Sequence, residues 1–198
     1  MKTIIKTTIF IAALFSNPIF SQEKNIETHS IEIENFIAYI VENYPNQSED
    51  LYNLTFLIQT GTEGYALEEK VILKQAFRIL SKRLHEDNTI SMLGYSGLNG
   101  LALEQNPIKK MKKMLYVLDN FKSSIKAFHE DGVTLAYDYI KENFNDNAIN
   151  RIIIVRIPNL KNEATSSVSS VKGEKKKNNA IVLTAISLLP EIISVLKN

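Results

Sequence analysis

The stretch RIIIVRI, residues 151–157, decides the fold class of this chain. Its centre, residues 152–155, consists of four consecutive β-branched side chains. Such residues favour strands, and an apolar run without polar alternation is typical of a strand that is covered on both faces. We therefore predict a central strand of a parallel sheet at this position.

The segments on the amino-terminal side of this strand alternate between strand and helix patterns. We predict strands at residues 54–58 and 89–94, a short edge strand at 101–103, and a last strand at 180–186. We predict helices at residues 31–44, 65–85, 107–121 and 130–144, and a terminal helix from Pro190. This alternation predicts an α/β fold, a doubly wound, mostly parallel sheet sandwiched by helices.

The first residues have the pattern of a bacterial secretory signal peptide. Lys2 and Lys6 precede a short apolar run, and Ser21 offers a small residue for cleavage. The apolar run is too short for a predicted membrane span, although a retained amino-terminal anchor is the alternative. We predict a periplasmic or extracellular protein. Its predicted parts are a signal peptide (1–21), an N-terminal helical extension (22–50), and a main domain (51–198) that includes a polar connector (159–179).

The composition excludes several classes of site. The chain has no cysteine, which rules out disulfides, thiolate catalysis and cysteine metal ligands. Its formal net charge is +1, and its two basic clusters, residues 109–114 and 172–179, lack interleaved aromatic residues. We therefore predict no nucleic-acid partner. A solvated surface is the default for these clusters, and contact with an acidic partner or with anionic envelope lipids is the alternative.

An ordered set of segments resembles bacterial von Willebrand factor type A (VWA) domains. The segments are NLTFLIQTGTEGYALEEKVILKQAFRIL (53–80), SMLGYSG (91–97), LDNF (118–121), GVTLAYDYIKENF (132–144), NRIIIV (150–155) and AIVLTAI (180–186). The segment IEIENFIAYIVENYP (31–45) also resembles a short element that precedes the VWA domain in one bacterial branch. The resemblance implies the same doubly wound α/β fold, VWA-like or Rossmann-like.

The resemblance also indicates where a metal site would lie. VWA domains usually hold a metal ion at the carboxyl edge of the sheet, in a metal-ion-dependent adhesion site with hard oxygen ligands. At the matching positions this chain has Gln59, Gly61, Glu63, Ala127 and Ile157 followed by Pro158. One carboxylate and one neutral amide do not make such a site. The resemblance therefore implies a degenerate member that binds no metal and no cofactor.

We predict a non-enzymatic protein-binding or scaffold module whose partner is another protein. The predicted contact residues lie in the upper loops and are Gln59, Thr60, Thr62, Glu63, His129 and Glu130. One alternative is an envelope or secreted enzyme that uses Glu63 and His129, and another is a structural subunit of an envelope complex. The acids near His129 have a simpler interpretation, because Glu130 or Asp131 at a helix start is typical of an N-cap.

Overall fold

The computed structural model describes residues 24–46 and 48–158 of the chain. The predicted signal peptide, polar connector, last strand and terminal helix lie outside these described residues. Within them, no helix combines the length and the apolar composition that crossing a membrane requires.

Five strands of the described part of the chain form one sheet in the order β1-β5-β2-β3-β4. The strands are β1 (Ile26–Glu32), β2 (Tyr52–Thr60), β3 (Thr89–Ser96), β4 (Gly100–Pro107) and β5 (Ile149–Arg156). All neighbours are parallel except β3 and β4, which form an antiparallel pair. The predicted strand at 151–157 is interior, between β1 and β2, and the predicted α/β fold class is confirmed.

Helices cover both faces of this sheet. They are α1 (Phe36–Asn43), preceded by a 3-10 turn (Ile33–Asn35), α2 (Leu67–Arg83), α3 (Met111–Asp119), α4 (Phe121–Ser124) and α5 (Gly132–Glu142). Helices α1 to α3 pack over one face, here called the front face, and α5 packs over the other, the back face. The predicted helix 107–121 begins later than expected, because β4 extends to Pro107.

The amino-terminal segment differs from the prediction of a helix over residues 31–44. Residues 26–32 form β1, which pairs with β5 in parallel, and the α-helix begins only at Phe36. The helical spacing of apolar residues in the sequence was a correct indication from Phe36 onward, because Phe36, Ile37 and Ile40 form the buried face of α1. The strand was missed because β1 has interleaved polar residues, and its pairing depends on β5 rather than on local propensity.

The larger core lies under the front face. Phe36, Phe56 and Phe77 are fully buried and meet edge to face, with ring centroids 4.8 to 5.8 Å apart. Each such aromatic pair contributes about 0.5–1.5 kcal/mol beyond its area burial. The smaller core under the back face consists of Leu57, Leu93, Ala136, Ile140 and Ile152. The residues that we predicted to be a helical extension therefore belong to the main core.

Candidate functional site

The candidate site is the edge of the sheet at which β2 and β5 end, here called the upper edge. Ligands of open parallel sheets bind at this carboxyl edge, because the loops that follow the strands meet there. Three segments form it: the loop between β2 and α2 (61–66), the turn between β3 and β4 (97–99), and the segment before α5 (125–131).

Gln59 closes the gap between β2 and β5 at the upper edge. Its side-chain oxygen Oε1 accepts a hydrogen bond from the backbone N–H of Ile157 at 2.9 Å. The Tyr95 hydroxyl donates to the same oxygen at 3.4 Å. The side chain of Gln59 is half-buried, so its amide oxygen is occupied within the protein.

Thr60 is an interior residue of the upper edge. Its side chain is fully buried. The hydroxyl accepts a hydrogen bond from the backbone N–H of Leu98 at 2.8 Å and donates to the backbone oxygen of Tyr95 at 3.3 Å. Of the six predicted contact residues, Thr60 is the one whose side chain has no exposed surface, and it ties the β3–β4 turn to β2.

Thr62 and Glu63 lie at the exposed tip of a tight turn. Gly61 and Gly64 pair through both of their backbone hydrogen bonds, at 2.6 and 3.0 Å, and Gly64 adopts a φ of 104° that favours glycine. Glu63 forms an ion pair with Lys122, with Nζ 2.7 Å from Oε1. Both side chains are largely exposed, so this pair contributes little to stability.

His129 and Glu130 lie on the other side of the upper edge and are exposed. The backbone N–H of His129 donates to the backbone oxygen of Asn99 at 2.9 Å. The side-chain amide of Asn99 donates to the backbone oxygen of Glu130 at 2.7 Å. The β3–β4 turn therefore holds this segment by its backbone and leaves both side chains available to solvent.

The β3–β4 turn joins the two groups of predicted residues. A Cβ atom on Gly97 would lie 2.2 Å from the backbone carbon of Gly61, so only glycine permits this close approach. Ser96 precedes it with a positive φ of 78°, which is uncommon and unfavourable for a residue other than glycine. The upper edge is thus a set of loops packed backbone against backbone, with a defined shape.

Phe128 and Val133 are exposed apolar residues on the α5 side of the upper edge, and neither was among the predicted contact residues. Phe128 is 58% exposed although its backbone forms a bridge with Gly100. Val133, in the first turn of α5, is 37% exposed although it shares the helical spacing of the buried residues Ala136 and Ile140. An isolated aromatic residue in the polar sequence KAFHED (126–131) was the available indication for Phe128. Only the packing of α5 shows that Val133 is exposed.

Asp131 is the N-cap of α5, as one of the two interpretations of this segment predicted. Its carboxylate accepts hydrogen bonds from the backbone N–H of Val133 at 2.8 Å and from the hydroxyl of Thr134 at 2.6 Å. The hydrogen bond from Thr134, followed by that from Val133, holds the pKa of Asp131 below its ordinary value. This carboxylate therefore stabilises the start of α5.

A shallow cleft of 110 Å³ lies beside the ion pair between Glu63 and Lys122. Its lining also includes Tyr65, Lys70 and Asp119, and among the described residues it does not include His129. Lys70 donates to the backbone oxygen of Asp119 at 3.2 Å. The carboxylate of Asp119 forms an ion pair with Lys74 outside the cleft. The charged groups that line the cleft are therefore each partnered within the protein.

Within residues 24–46 and 48–158, no three His, Asp or Glu side chains come together in a way that could hold a metal ion. No family model, curated protein or solved structure matches this chain. A function for this protein is therefore argued from the geometry of its upper edge.

Proposed function

We propose that this chain is an exported protein-binding module, a VWA-like domain that contacts its partner through the upper edge without a metal ion. The observation that carries the proposal is the exposure of Phe128 and Val133 on a hydrogen-bonded backbone. Aromatic side chains presented on an ordered surface are frequent anchors of protein interfaces. The exposed polar residues that follow Phe128 in the chain, His129 and Glu130, provide the polar rim that such an anchor has in interfaces.

The proposal of a metal-free module is supported by the contact between Gln59 and Ile157. These are two of the positions that match oxygen ligands of the metal site in the family that the chain resembles. Here a neutral side-chain oxygen and a backbone N–H hydrogen-bond to each other across the gap between β2 and β5. An amide that is already engaged provides no charge for a divalent cation, which prefers carboxylate ligands.

A binding module is favoured over an enzyme by the position of Glu63. Catalytic groups must reach a shared substrate within hydrogen-bond distance. Glu63 is paired with Lys122, and the cleft beside this pair is not lined by His129 among the described residues. Phe128, by contrast, is available for contact without any rearrangement.

The test compares partner capture by two variants of the chain from residue 22 onward. Phe128→Ser removes the exposed ring at the upper edge. Tyr116→Ser is the matched control, because Tyr116 is similarly exposed, at 64%, but lies on α3. Each protein is immobilised and exposed to envelope proteins of the producing bacterium, and the bound partner is quantified in the presence and absence of EDTA.

We expect Phe128→Ser to reduce capture of the partner at least about tenfold, as substitution of an interface anchor does, and Tyr116→Ser to leave it unchanged. EDTA should have no effect. Equal capture by both variants would contradict the assignment of the upper edge, and capture that requires Mg²⁺ would contradict the metal-free module. Thermal unfolding of each variant establishes that a loss of capture is not a loss of fold.

A further inference from the structure

The strand β1 presents a regular outer edge. In the order β1-β5-β2-β3-β4, it pairs with β5 on one side, and no other described strand lies on its outer side. The pairing with β5 runs from Ile26 to Glu32 without a shift of register. The segment contains neither proline nor lysine, two of the residues with which natural proteins protect an open edge from pairing.

The opposite edge of the sheet is built differently. The pairing of β4 with β3 shifts register twice, between Ile90 and Leu93, and β4 ends at Pro107. Register irregularities and proline both hinder the addition of another strand. The contrast between the two edges indicates that β1, and not β4, is adapted to pair with a further strand.

The chain itself contains a segment with the composition of a strand, AIVLTAI, residues 180–186. Six of its seven residues are apolar and none is charged, a composition that favours a strand. The connection from the end of β5 to this segment comprises residues 157–179. It is longer than the dozen or so residues that a crossover between parallel strands requires.

The handedness of the fold provides a path for this connection. The connections from β1 to β2 and from β2 to β3 proceed in one direction across the sheet, and their helices α1 and α2 cover the front face. A right-handed connection that proceeds in the opposite direction, from β5 past β1, must cross the back face.

The back face has room beside β1. Helix α5 packs on β2, β3 and β5 and reaches β1 at Thr28, whose hydroxyl lies 2.9 Å from the hydroxyl of Tyr137. Thr28 is nevertheless exposed, as is Ser30 further along β1. On the neighbouring strand, Ile154 is only partly buried. The connection is rich in serine, asparagine and lysine, so it matches the polar surface that these two β1 residues present.

We propose that residues 180–186 pair in parallel with the open edge of β1 and form a sixth strand of the sheet. Neighbouring strands lie about 4.8 Å apart, so cysteines on the same face of both strands come within reach of a short thiol crosslinker such as dibromobimane. The chain has no cysteine of its own, so every crosslink reports only introduced residues.

The test places Ser30→Cys on β1 of the full chain and combines it in turn with one cysteine at each of residues 181–185. Ser30 is exposed on the back face. We expect intramolecular crosslinks at alternate positions only, because successive side chains of a strand point to opposite faces. The matched control replaces Ser30→Cys by Glu104→Cys on the other edge strand, β4, and should give no crosslink with the same five positions.

Other outcomes of the crosslinking overturn the proposal. Crosslinks between two molecules would mean that a second copy of the chain pairs with the edge of β1. Intramolecular crosslinks at positions three or four residues apart would mean that residues 181–185 form a helix. Crosslinks with Glu104→Cys, or none at all, would equally contradict a strand beside β1.

Hydrogen exchange provides a test that does not depend on cysteine variants. In the full chain, backbone amides of β1 that point away from β5 should exchange slowly, because they donate to the added strand. One of the variants Thr184→Pro and Ala185→Pro should make them exchange rapidly, because successive N–H groups point to opposite sides of a strand and one of the two prolines removes a donor on the side of β1. Rapid exchange in the unchanged chain, or no response to either proline variant, would show that residues 180–186 do not pair there.

Discussion

At the scale of single residues, side chains at the upper edge mainly hold the backbone in place. Gln59 and Thr60 use their side-chain oxygens to join β2 to β5 and to the β3–β4 turn. Asn99 fixes the segment before α5 in the same way, through the backbone oxygen of Glu130. The six predicted contact residues therefore form two groups. Gln59 and Thr60 support the surface from within, whereas the other four are exposed and form it.

Asp131 is a supporting residue whose contribution depends on pH. Replacement Asp131→Ala removes the N-cap of α5 and should lower the melting temperature by about 2–6 °C at pH 7. The pKa of Asp131 in the folded protein lies below its ordinary value, first because of the hydrogen bond from Thr134. Its contribution is therefore complete above the unfolded pKa, near 3.9, and is lost as pH falls through the folded pKa.

Melting temperatures of the wild type and of Asp131→Ala, measured from pH 7 to pH 3, check this prediction. The difference should be constant down to about pH 4 and should shrink below it. Asp138→Ala is the control, because Asp138 is exposed later in the same helix. A difference that increases towards acid pH would mean that the carboxylate does not act as the cap.

At the scale of elements, β1 is held to the sheet by more than its ladder. Its Glu27 lies opposite Arg151 of β5, whose Nε donates to Oε2 at 2.8 Å. The guanidinium also donates to the hydroxyl of Tyr44 at 3.2 Å and lies over the rings of Tyr44 and Tyr52. Arg151 is thus mostly enclosed, with 11% of its side chain exposed, whereas 40% of Glu27 is exposed.

Removal of the carboxylate should weaken the attachment of β1. We expect Glu27→Ala to lower the free energy of unfolding by about 1–2 kcal/mol, the effect of a hydrogen bond to a charged group reduced for the exposure of Glu27. The control is Glu32→Ala on the same strand, whose pair with Arg156 is longer, at 3.5 Å, and exposed on both sides. It should cost less than about 0.5 kcal/mol.

Urea unfolding of both variants measures the two free energies. Equal losses for Glu27→Ala and Glu32→Ala would contradict a specific role for the enclosed Arg151. A larger loss for Glu32→Ala would contradict it more strongly.

At the scale of the whole molecule, the amino-terminal segment completes the front core. The segment supplies five buried apolar side chains, Ile33, Phe36, Ile37, Ile40 and Tyr44. Burial of each contributes about 1.5–3 kcal/mol, so together they are comparable with the entire stability of a typical domain. A chain that begins at residue 51 should therefore show no cooperative thermal transition, whereas a chain that begins at residue 24 should unfold cooperatively.

Circular dichroism during heating distinguishes these two chains. A sharp transition in the chain that begins at residue 51 would mean that β1 and α1 are an appendage and not part of the folding unit.

Much of the fold could be predicted from periodicity alone. The β-branched run of β5, the apolar run of β2 and the helical spacing of α2 and α5 each placed an element close to its observed bounds. The candidate site could be predicted less well. Thr60 looked like a contact residue and is buried, whereas Phe128 lay in a polar loop and is exposed. Side-chain exposure depends on which distant segments pack together, and local sequence does not encode this directly.

The sequence by itself determined the fold class, because strands covered on both faces need an uninterrupted apolar run and helices need an apolar stripe. Only the tertiary structure decided the place of β1, since a strand with interleaved polar residues gains its stability from the strand beside it. It likewise decided that the buried polar residues Asn53 and Asn150 bind each other under the back face, at 2.9 Å. A buried amide needs a hydrogen-bond partner, and here the two partners lie far apart along the chain, so only the folded structure shows that they meet.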